Sequence, residues 1–175
     1  MSVMHYRQSE IAQERLLRMD KQTFADQVMS REQMLYRVAR SLLASNEDCK
    51  DALQEAVMRA WAARHSLKDE QFFATWLTRI LINTCKAIRR KQKKYLLFYN
   101  VQAGVAVEAP DVGIQYALDG LPEKQRLPVV LHYMEGYSLK EVAVMLKLSQ
   151  STLRGRLYQA MQRLRLELDE EELGK

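Results

Sequence analysis

The sequence predicts an all-α protein of two small helical domains, a helical bundle and a helix-turn-helix, joined by a flexible linker. Three observations support this fold class. Helix-favouring residues such as Leu, Ala, Arg, Gln, Glu, Lys and Met dominate a chain of 175 residues with 6 Gly and 3 Pro. Apolar residues recur at helical spacing through most of the chain. Residues 98–113 lack that spacing and contain Gly104, Pro110 and Gly113, so they form the predicted linker.

The first domain is predicted at residues 21–97, after an N-terminal appendage at 1–20 to which the sequence assigns no role. Over about residues 21–44, apolar residues keep helical spacing: Phe24, Val28, Leu35, Val38 and Leu42. The stretch "SNED" then forms a capping-box pattern, in which Ser45 caps a new helix and Asp48 reaches back.

This second helix, about residues 47–64, has two distinct faces. One is a wide apolar stripe expected in the core, made of Cys49, Ala52, Leu53, Ala56, Val57, Ala60 and Trp61. The other face carries three polar residues and one methionine at spacing i, i+3, i+4 and i+7: Asp51, Gln54, Glu55 and Met58. On spacing alone, a solvated surface is the simplest interpretation of this second stripe.

Residues 75–94 are the most basic segment of the chain, with seven Lys or Arg and no acidic residue. One side of the predicted helix faces a core, and another carries Arg79, Asn83, Lys86 and Arg90. A loop precedes this helix, and the aromatic residues Phe72, Phe73 and Trp76 lie where the two meet. Aromatic rings that stack on bases, beside cations that follow the backbone, suit single-stranded DNA. For Trp76 alone, a place in the core is the simpler interpretation.

The second domain is predicted at residues 114–170, followed by an acidic tail at 171–175. Pro122 is expected at the first position of a helix that Pro128 kinks. "SLKE" is a second capping box, Ser138 with Glu141, and opens a short helix to about residue 146. A tight connection leads to a longer helix, capped by Ser149 and ending near residue 168. The residues expected to face inward on it are Leu153, Leu157, Ala160, Met161 and Leu164.

Two helices joined by a short turn, the second rich in Arg, match the helix-turn-helix plan. In that plan the N-terminal residues of the second helix reach base edges in the major groove. Here these residues are Ser149, Gln150, Ser151 and Thr152, and they are followed by Arg154 and Arg156 for phosphate or guanine. An ordinary helical hairpin with a charged surface is the alternative interpretation.

Charge and composition narrow the possible functions. The net charge is +5, and the cations are clustered, which favours a polyanionic partner. His5, His65 and His132 are scattered and the two Cys fit no CxxC pattern, so we expect buried thiols and neither metal nor cofactor. No apolar run approaches the ~18–20 residues of a membrane span, and no signal peptide is recognisable. A cytoplasmic protein without membrane insertion is therefore expected.

Four motifs, taken in order, resemble the extracytoplasmic-function (ECF) group of bacterial RNA polymerase sigma factors, within the sigma-70 family. They are "NEDCKDALQEAVMRAW", "FFATWLTRILINTCKAIRRK", "LPEKQR" and "EGYSLKEVAVMLKLSQSTLRGRLYQAMQRLR". That group keeps two DNA-reading domains, regions 2 and 4, on a flexible linker. The resemblance covers residues 24–100 and 114–168. It implies a non-enzymatic subunit that binds core RNA polymerase, recognises −35 and −10 promoter elements and promotes promoter opening for transcription initiation.

The resemblance also implies roles for individual residues. The stripe Asp51, Gln54, Glu55 and Met58 matches the segment that docks on the polymerase clamp helices. The basic helix and the loop at 65–72 match the part that reads and melts the −10 element, where a flipped base is captured. The residues assigned to that contact are His65, Lys68, Phe72, Trp76, Arg79, Asn83, Lys86, Arg89 and Arg90. The residues assigned to the −35 element are Ser149, Gln150, Ser151, Thr152, Arg154, Arg156, Gln159 and Arg163.

Two departures from the family pattern affect −35 reading. Gly155 replaces a side chain that is often polar, and Gln159 replaces a frequent Arg, so the base-by-base −35 specificity is left open. Members of the group are usually held inactive by an anti-sigma factor, and the resemblance implies such a partner here.

Two other classes of protein fit the sequence less well. A stand-alone helix-turn-helix regulator would usually need a dimer interface, and no heptad run supplies one. A nuclease would need a carboxylate or His cluster beside the basic surface, and the helix at 76–94 carries no acid.

Overall fold

The computed structural model describes residues 19–99 and 114–173, with side chains described for 19–95 and 116–166. Every regular element in these ranges is helical, which confirms the all-α prediction for them. The α-helices are α1 (Lys21–Met29), α2 (Glu32–Arg40), α3 (Asn46–Ala63), α4 (Phe73–Tyr99), α5 (Ile114–Gly120), α6 (Glu123–Val129), α7 (Leu139–Leu146) and α8 (Gln150–Leu173). We call α1–α4 the first module and α5–α8 the second module.

The stretch of helical spacing over residues 21–44 forms two helices, α1 and α2, with an interruption between them. Ser30 and Arg31 lie at this break, and both side chains donate to the carbonyl oxygen of Gln27, at 3.1 and 2.9 Å. A side chain that bonds to a terminal carbonyl replaces the backbone N–H of the next helical turn. The apolar spacing continues across the break, and for that reason it did not reveal the break.

The core of the first module lies between α3 and α4. Cys49, Ala52, Ala56 and Ala60 of α3 are buried, and small side chains there let α4 approach closely. An aromatic cluster closes one end of this core. Phe24 has its ring centroid 5.2 Å from that of Trp61 and 5.6 Å from that of Phe73, and the centroids of Phe73 and Trp76 are 5.9 Å apart. The two contacts of Phe24 are edge-to-face, and such contacts stabilise a core beyond the area they bury.

The N-terminus of α3 is capped as predicted by Ser45, whose side chain accepts from the Asp48 backbone N–H at 3.3 Å. The Asp48 carboxylate does not complete a capping box. It accepts a hydrogen bond from Gln92 Nε2 at 2.9 Å and so connects the start of α3 to the distal part of α4.

In the second module, α6 changes into a π-helical segment, Val130–Met134, shortly after Pro128. Proline has no N–H to donate within the helix, and a wider turn follows it, closed by Glu135 N–H donating to Val130 O at 3.0 Å. At the kink predicted for Pro128, the α-helix therefore changes to a π-helix. The chain then turns at Gly136, whose φ of +74° lies in the left-handed region.

The helix-turn-helix is formed by α7 and α8. The predicted capping box at the start of α7 is confirmed, with Ser138 and Glu141 each bonding to the backbone of the other. Lys147, at φ 54°, ends α7 in the left-handed conformation, and Ser149 Oγ accepts from the Thr152 N–H at 3.1 Å to begin α8.

Met161 is 44% exposed, so its predicted inward position is wrong. It lies beside the buried stripe of α8 rather than on it.

The two modules are in contact. Helix α4 packs against α7, and α2 packs against the π-helical segment. The side chains that meet there belong to Arg37, Thr75 and Thr78 on the first module and to Glu135, Tyr137 and Glu141 on the second. Because of this contact, the basic face of α4 and the helix-turn-helix lie close together.

Candidate nucleic-acid interface

The basic face of α4 is presented largely as the sequence predicts. Arg79, Asn83, Arg89 and Arg90 are exposed, and Lys86 is half-buried. The opposite side of α4 carries the buried residues Leu77, Leu81, Ile82 and Cys85, which fix the helix against α3. An anchored helix holds its outer side chains at defined positions, so α4 presents Arg79 and Asn83 to solvent on a fixed face.

The loop between α3 and α4 contains two short 3-10 turns, Arg64–Ser66 and Glu70–Phe72. His65 and Lys68 are exposed on it, and Phe72 is also exposed at its end. Trp76 is half-buried against Phe73 and the core. The Phe72 ring is therefore accessible to solvent. The Trp76 ring packs against the core and is partly exposed.

The polar stripe of α3 lies at the surface. Asp51, Gln54, Glu55 and Met58 are all exposed, and the last of these is a large apolar side chain in contact with solvent. Glu55 is paired with Arg59, which lies one turn later and outside the predicted stripe. Exposed i, i+4 pairs contribute little to stability, so Glu55 can exchange this partner at low cost.

A groove between α2 and α3 adjoins this stripe. It has a volume of about 720 Å³ and is lined by Glu32, Gln33, Tyr36, Arg37, Lys50, Leu53 and Gln54. Gln54 belongs to both the stripe and the groove, so the two form one continuous surface. Helical spacing does not predict this groove, because its lining comes from the facing sides of two different helices.

The N-terminus of α8 presents short hydroxyl side chains to solvent. Ser149 Oγ lies 2.9 Å from Ser151 Oγ and 2.8 Å from Thr152 Oγ1. Gln150, Arg154 and Arg163 are exposed beside them or further along the helix. Hydroxyls that bond to one another at a helix terminus can turn to donate to a phosphate or a base edge.

Gln159 and Arg156 are held differently from the rest of the predicted −35 set. Gln159 is exposed, but its side-chain oxygen accepts from Nε2 of the buried Gln125 on α6, at 3.1 Å. This contact orients the Gln159 amide and was not detectable from sequence spacing. Arg156 is half-buried and faces the first module.

A cleft of about 360 Å³ lies between the two modules. Its charged lining residues are Lys86, Glu123, Lys124 and Arg156, and its apolar ones are Pro122, Leu127, Pro128 and Leu146. Burial lowers the pKa of Lys86, and the positive charges of Arg156 and Arg89 lower it further. The modules thus place cations of both predicted DNA-reading surfaces side by side.

The described residues show no arrangement for a metal ion, since no group of three or more His, Cys, Asp and Glu side chains in those ranges could hold one. Within the same part of the chain, no helix combines the length and apolar character needed to cross a membrane.

Two family models match the chain, and they match in order. Sigma-70 region 2 matches residues 28–95, and Sigma-70 region 4 matches residues 112–164. The first match contains the stripe of α3 and the basic face of α4. The second contains the helix-turn-helix.

Several curated proteins are similar over most of the chain. SigM of Mycobacterium tuberculosis, an ECF RNA polymerase sigma factor, is 31% identical over 150 residues, which cover 83% of this chain and 76% of that protein. The RNA polymerase sigma-E factor of Streptomyces coelicolor is 32% identical over 155 residues, covering 83% and 85%. The sigma factor SigV of Bacillus subtilis is 26% identical over 152 residues, covering 84% and 92%.

Two solved structures have a similar fold. The sigma factor RpoE of Bartonella quintana, solved in complex with the anti-sigma factor NepR, matches with a TM-score of 0.74 at 24% identity over 83% of this chain and 96% of that chain. CnrH, solved in complex with the cytosolic domain of CnrY, matches with a TM-score of 0.66 at 25% identity, covering 86% and 90%.

A helix-turn-helix together with the basic helix α4 in one chain is typical of a DNA-binding transcription factor. With both region matches and with relatives above 30% identity, the chain belongs to the ECF group of the sigma-70 family of RNA polymerase sigma factors. Proteins of this family recognise promoters as part of RNA polymerase, so the alternative of a stand-alone helix-turn-helix regulator is not favoured.

Proposed function

We propose that residues 21–97 bind core RNA polymerase and read the −10 promoter element, and that residues 114–170 read the −35 element. The observation that carries this proposal is the occurrence of both region matches in order on one chain, each with an exposed polar or basic surface. The chain acts as a specificity subunit and performs no bond-forming step itself. It works in the cytoplasm, where it meets the polymerase and the promoter.

Core polymerase docks on the exposed stripe Asp51, Gln54, Glu55 and Met58. The two carboxylates suit basic residues on the partner, and the exposed Met58 side chain supplies apolar area that adapts to an irregular surface. The adjoining groove extends this surface along α2. Charge complementarity of this kind steers association as well as contributing to affinity.

The −10 element is read by α4 and the loop that precedes it. A base flipped out of the duplex stacks on the exposed Phe72 ring, near His65 and Lys68, while Arg79 and Asn83 contact the strand. Flipping costs a few kcal/mol, and a site that accepts the correct base offsets that cost selectively. Trp76 supports this site from the core side and offers its open face.

The cations further along α4, including Arg89 and Arg90, hold duplex phosphates upstream of the opened segment. Gln92 anchors this part of the helix to Asp48 and so limits its freedom. Each neutralised phosphate releases counterions, and we therefore expect the affinity for promoter DNA to fall steeply with salt.

The −35 element is read by the N-terminal half of α8 in the major groove. Ser149, Gln150, Ser151 and Thr152 donate to phosphates and base edges, and Arg154 suits guanine, the commonest base partner of Arg. Arg156, Gln159 and Arg163 complete the contact along one side of the helix. Gly155 lies between these groups, with nothing within 4 Å of a Cβ added there.

An anti-sigma factor is the second protein partner that we propose. One matching structure is a sigma factor solved with an anti-sigma factor, and another, CnrH, was solved with the cytosolic domain of a second protein, CnrY. By similarity, such a partner would cover the polymerase-docking and DNA-reading surfaces of this chain and hold it inactive.

In vitro transcription with added core polymerase tests the proposal. Genomic DNA fragments are transcribed with core enzyme alone and with core enzyme plus this chain, and the run-off products are sequenced. We expect a set of start sites that require the chain and that share two upstream elements. If no start site depends on the chain, the proposed function is wrong.

A further inference from the structure

Gln159 lies in the proposed −35 surface of α8, and one end of its amide is already bonded within the second module. Helix α6 packs against α8, and Gln125 of α6 is buried, with 3% of its surface exposed. Nε2 of Gln125 donates to Oε1 of Gln159 at 3.1 Å. The oxygen end of the Gln159 amide is therefore turned towards α6, and its nitrogen end is left for another partner.

Burial of Gln125 keeps this hydrogen bond in place. The other polar atom of its side chain, Oε1, is buried and has no hydrogen-bond partner among the residues whose side chains the structure describes. Loss of the bond to Gln159 would leave the whole buried amide unpaired, and unpaired buried polar groups destabilise a fold. Dense packing around a buried side chain also restricts its rotamers. Gln125 is therefore a fixed donor that orients the amide of Gln159.

The two ends of a glutamine amide select different bases. In the major groove, a glutamine recognises adenine with both ends, because adenine offers the N6 donor and the N7 acceptor. Guanine offers two acceptors, N7 and O6. With its oxygen turned towards Gln125, Gln159 presents the two N–H donors of Nε2. This orientation suits guanine and excludes the two-ended contact with adenine.

Gly155 leaves space beside this amide. It precedes Gln159 by one helical turn, so the two residues are neighbours on one side of α8. Apart from its chain neighbours and the backbone of its own helix, no heavy atom lies within 4 Å of a Cβ added at Gly155. While Gln159 is bonded to Gln125 it cannot extend fully away from the helix. The missing side chain at Gly155 lets a base edge approach it instead.

We propose that Gln159 selects guanine at one base pair of the −35 element, and that Gln125 is the positioning residue that sets this preference. The inference rests on the proposed function, because it takes α8 as the helix that reads the −35 element. Gln125 is buried and acts only through its hydrogen bond to Gln159. Without that bond, the Gln159 amide is free to turn either end outwards, and adenine and guanine become comparable partners.

A promoter library tests this preference with the full chain and core polymerase. The −35 element of one chain-dependent promoter is randomised, each sequence is linked to a barcode in the transcribed region, and the transcripts are counted. The ratio of guanine to adenine is then obtained at every position of the element. Three variants are compared with the unsubstituted chain: Gln159→Ala, which removes the amide, Gln125→Met, which removes its donor at similar volume, and both substitutions together.

For the unsubstituted chain we expect about a tenfold excess of guanine over adenine at one position, in the range of a specific base contact. Gln159→Ala and Gln125→Met should each reduce this ratio to within about twofold, while the preferences at the other positions stay unchanged. The double variant should show no further change, because both residues act through one hydrogen bond.

Val130→Ala is the control for a general loss of stability. It removes buried apolar volume from the π-helical segment of the same module and should lower the melting temperature. We expect the guanine to adenine ratio to stay at its original value in this variant. If the ratio falls in Val130→Ala as it does in Gln125→Met, stability sets the preference and the inference is wrong.

Three further results would overturn the inference: no position that responds to Gln159→Ala, a responding position that prefers adenine, or an unchanged guanine preference in Gln125→Met. Should Gln125→Met fail to fold, Gln159→Glu at the exposed end of the pair replaces it. Its carboxylate still accepts from Gln125 but offers an acceptor to DNA, so the preference should move from guanine to cytosine, and a retained guanine preference contradicts the inference.

The same experiment separates this inference from the proposed function. Chain-dependent start sites without a guanine preference that responds to Gln159→Ala disprove the inference alone. If no start site depends on the chain, the proposed function is wrong and the inference is wrong with it.

Discussion

The Tyr137 hydroxyl and the Thr78 hydroxyl lie 2.9 Å apart in a buried position, although the residues are 59 positions apart in the chain. Tyr137 reaches this position because Gly136 turns the backbone with a positive φ directly before it. Burial raises the pKa of Tyr137, so its hydroxyl is neutral and able to donate to or accept from Thr78. This pair joins the helix-turn-helix module to the helix that carries the basic face.

The first prediction concerns this pair. Tyr137→Phe removes one hydroxyl and leaves the Thr78 hydroxyl without it, so we expect a loss of about 1 kcal/mol in the free energy of unfolding. Urea denaturation followed by circular dichroism measures the loss. Tyr133→Phe is the control, since Tyr133 is exposed on the π-helical segment and its hydroxyl should be dispensable. Equal stability of the two variants would contradict the role given to the buried hydroxyl.

The second prediction concerns polymerase docking. The double substitution Gln54→Ala with Glu55→Lys reverses a charge in the proposed docking stripe, and we expect about a tenfold or greater loss of affinity for core polymerase. Both residues are exposed, so the circular dichroism spectrum and the melting temperature should stay close to those of the unsubstituted chain. Fluorescence anisotropy of labelled chain with core enzyme measures the affinity.

A matched control keeps the charge change and moves it to α1. Gln22→Ala with Asp26→Lys makes the same two kinds of substitution at exposed positions outside the stripe. Comparable losses of polymerase affinity in the two double variants would mean that net charge, and not the α3 surface, determines binding.

The third prediction separates duplex binding from promoter opening. Asn83 is exposed on α4 and uncharged, so Asn83→Ala should weaken open-complex formation more than duplex binding. Arg90→Ala should instead weaken duplex binding, and it should make the slope of log affinity against log salt less steep by about 1. Permanganate footprinting reports opening and filter binding reports affinity. If promoter DNA bound with the Asn83 variant shows normal permanganate reactivity, Asn83 does not contribute to opening.

The fourth prediction concerns Gly155 in the second turn of α8. Apart from its chain neighbours and the backbone of its own helix, no heavy atom lies within 4 Å of a Cβ added there, so Gly155→Ala should raise the free energy of unfolding by about 0.5–1 kcal/mol. Because Gly155 lies among the proposed −35 contacts, the added methyl group should also reduce −35 binding by keeping the helix backbone away from DNA. A variant that is more stable and binds the −35 element as tightly would show that close approach is not used.

The fifth prediction concerns the buried thiols and pH. Desolvation raises the pKa of Cys49 to about 11 and that of Cys85 to about 12, from an ordinary value of 9.0. Between pH 9 and 11 the unfolded thiols lose protons that the folded ones keep, so the free energy of unfolding should fall as pH rises. The fall should be smaller for Cys49→Ala with Cys85→Ala. Denaturation curves at several pH values measure it, and identical slopes would contradict the assignment.

The helices that the sequence predicted well are those with a local signal. The Ser138–Glu141 capping box and the apolar stripes of α3 and α4 depend on residues within a few turns of one another, and each is present in the structure. The break at Ser30 and Arg31 was missed because it depends on side-chain bonds to one carbonyl oxygen. Periodicity does not record such bonds.

The surface residues also divide into those whose exposure helical spacing predicts and those for which it does not. Exposure of Arg79, Asn83 and Arg154 follows from helical spacing, and the structure places all three at the surface. The half-buried state of Lys86 and Arg156 does not follow from spacing, since it results from the contact between modules. The pairing of Gln125 with Gln159 is likewise a product of helix packing and could not be read from one sequence.

The Arg37–Glu135 pair has a consequence for hybrid sigma factors built by joining the N-terminal half of this chain to a foreign C-terminal half. Such a chimera inherits Arg37 and Thr78 but not the turn that carries Glu135 and Tyr137. Arg37 on α2 and Thr78 on α4 then lose their partners and face solvent, and the chimera lacks the hydrogen bonds that these residues make between the two halves. Transplanting residues 135–141 into the foreign half supplies Glu135, Tyr137 and Glu141 again, as partners for Arg37, Thr78 and Thr75.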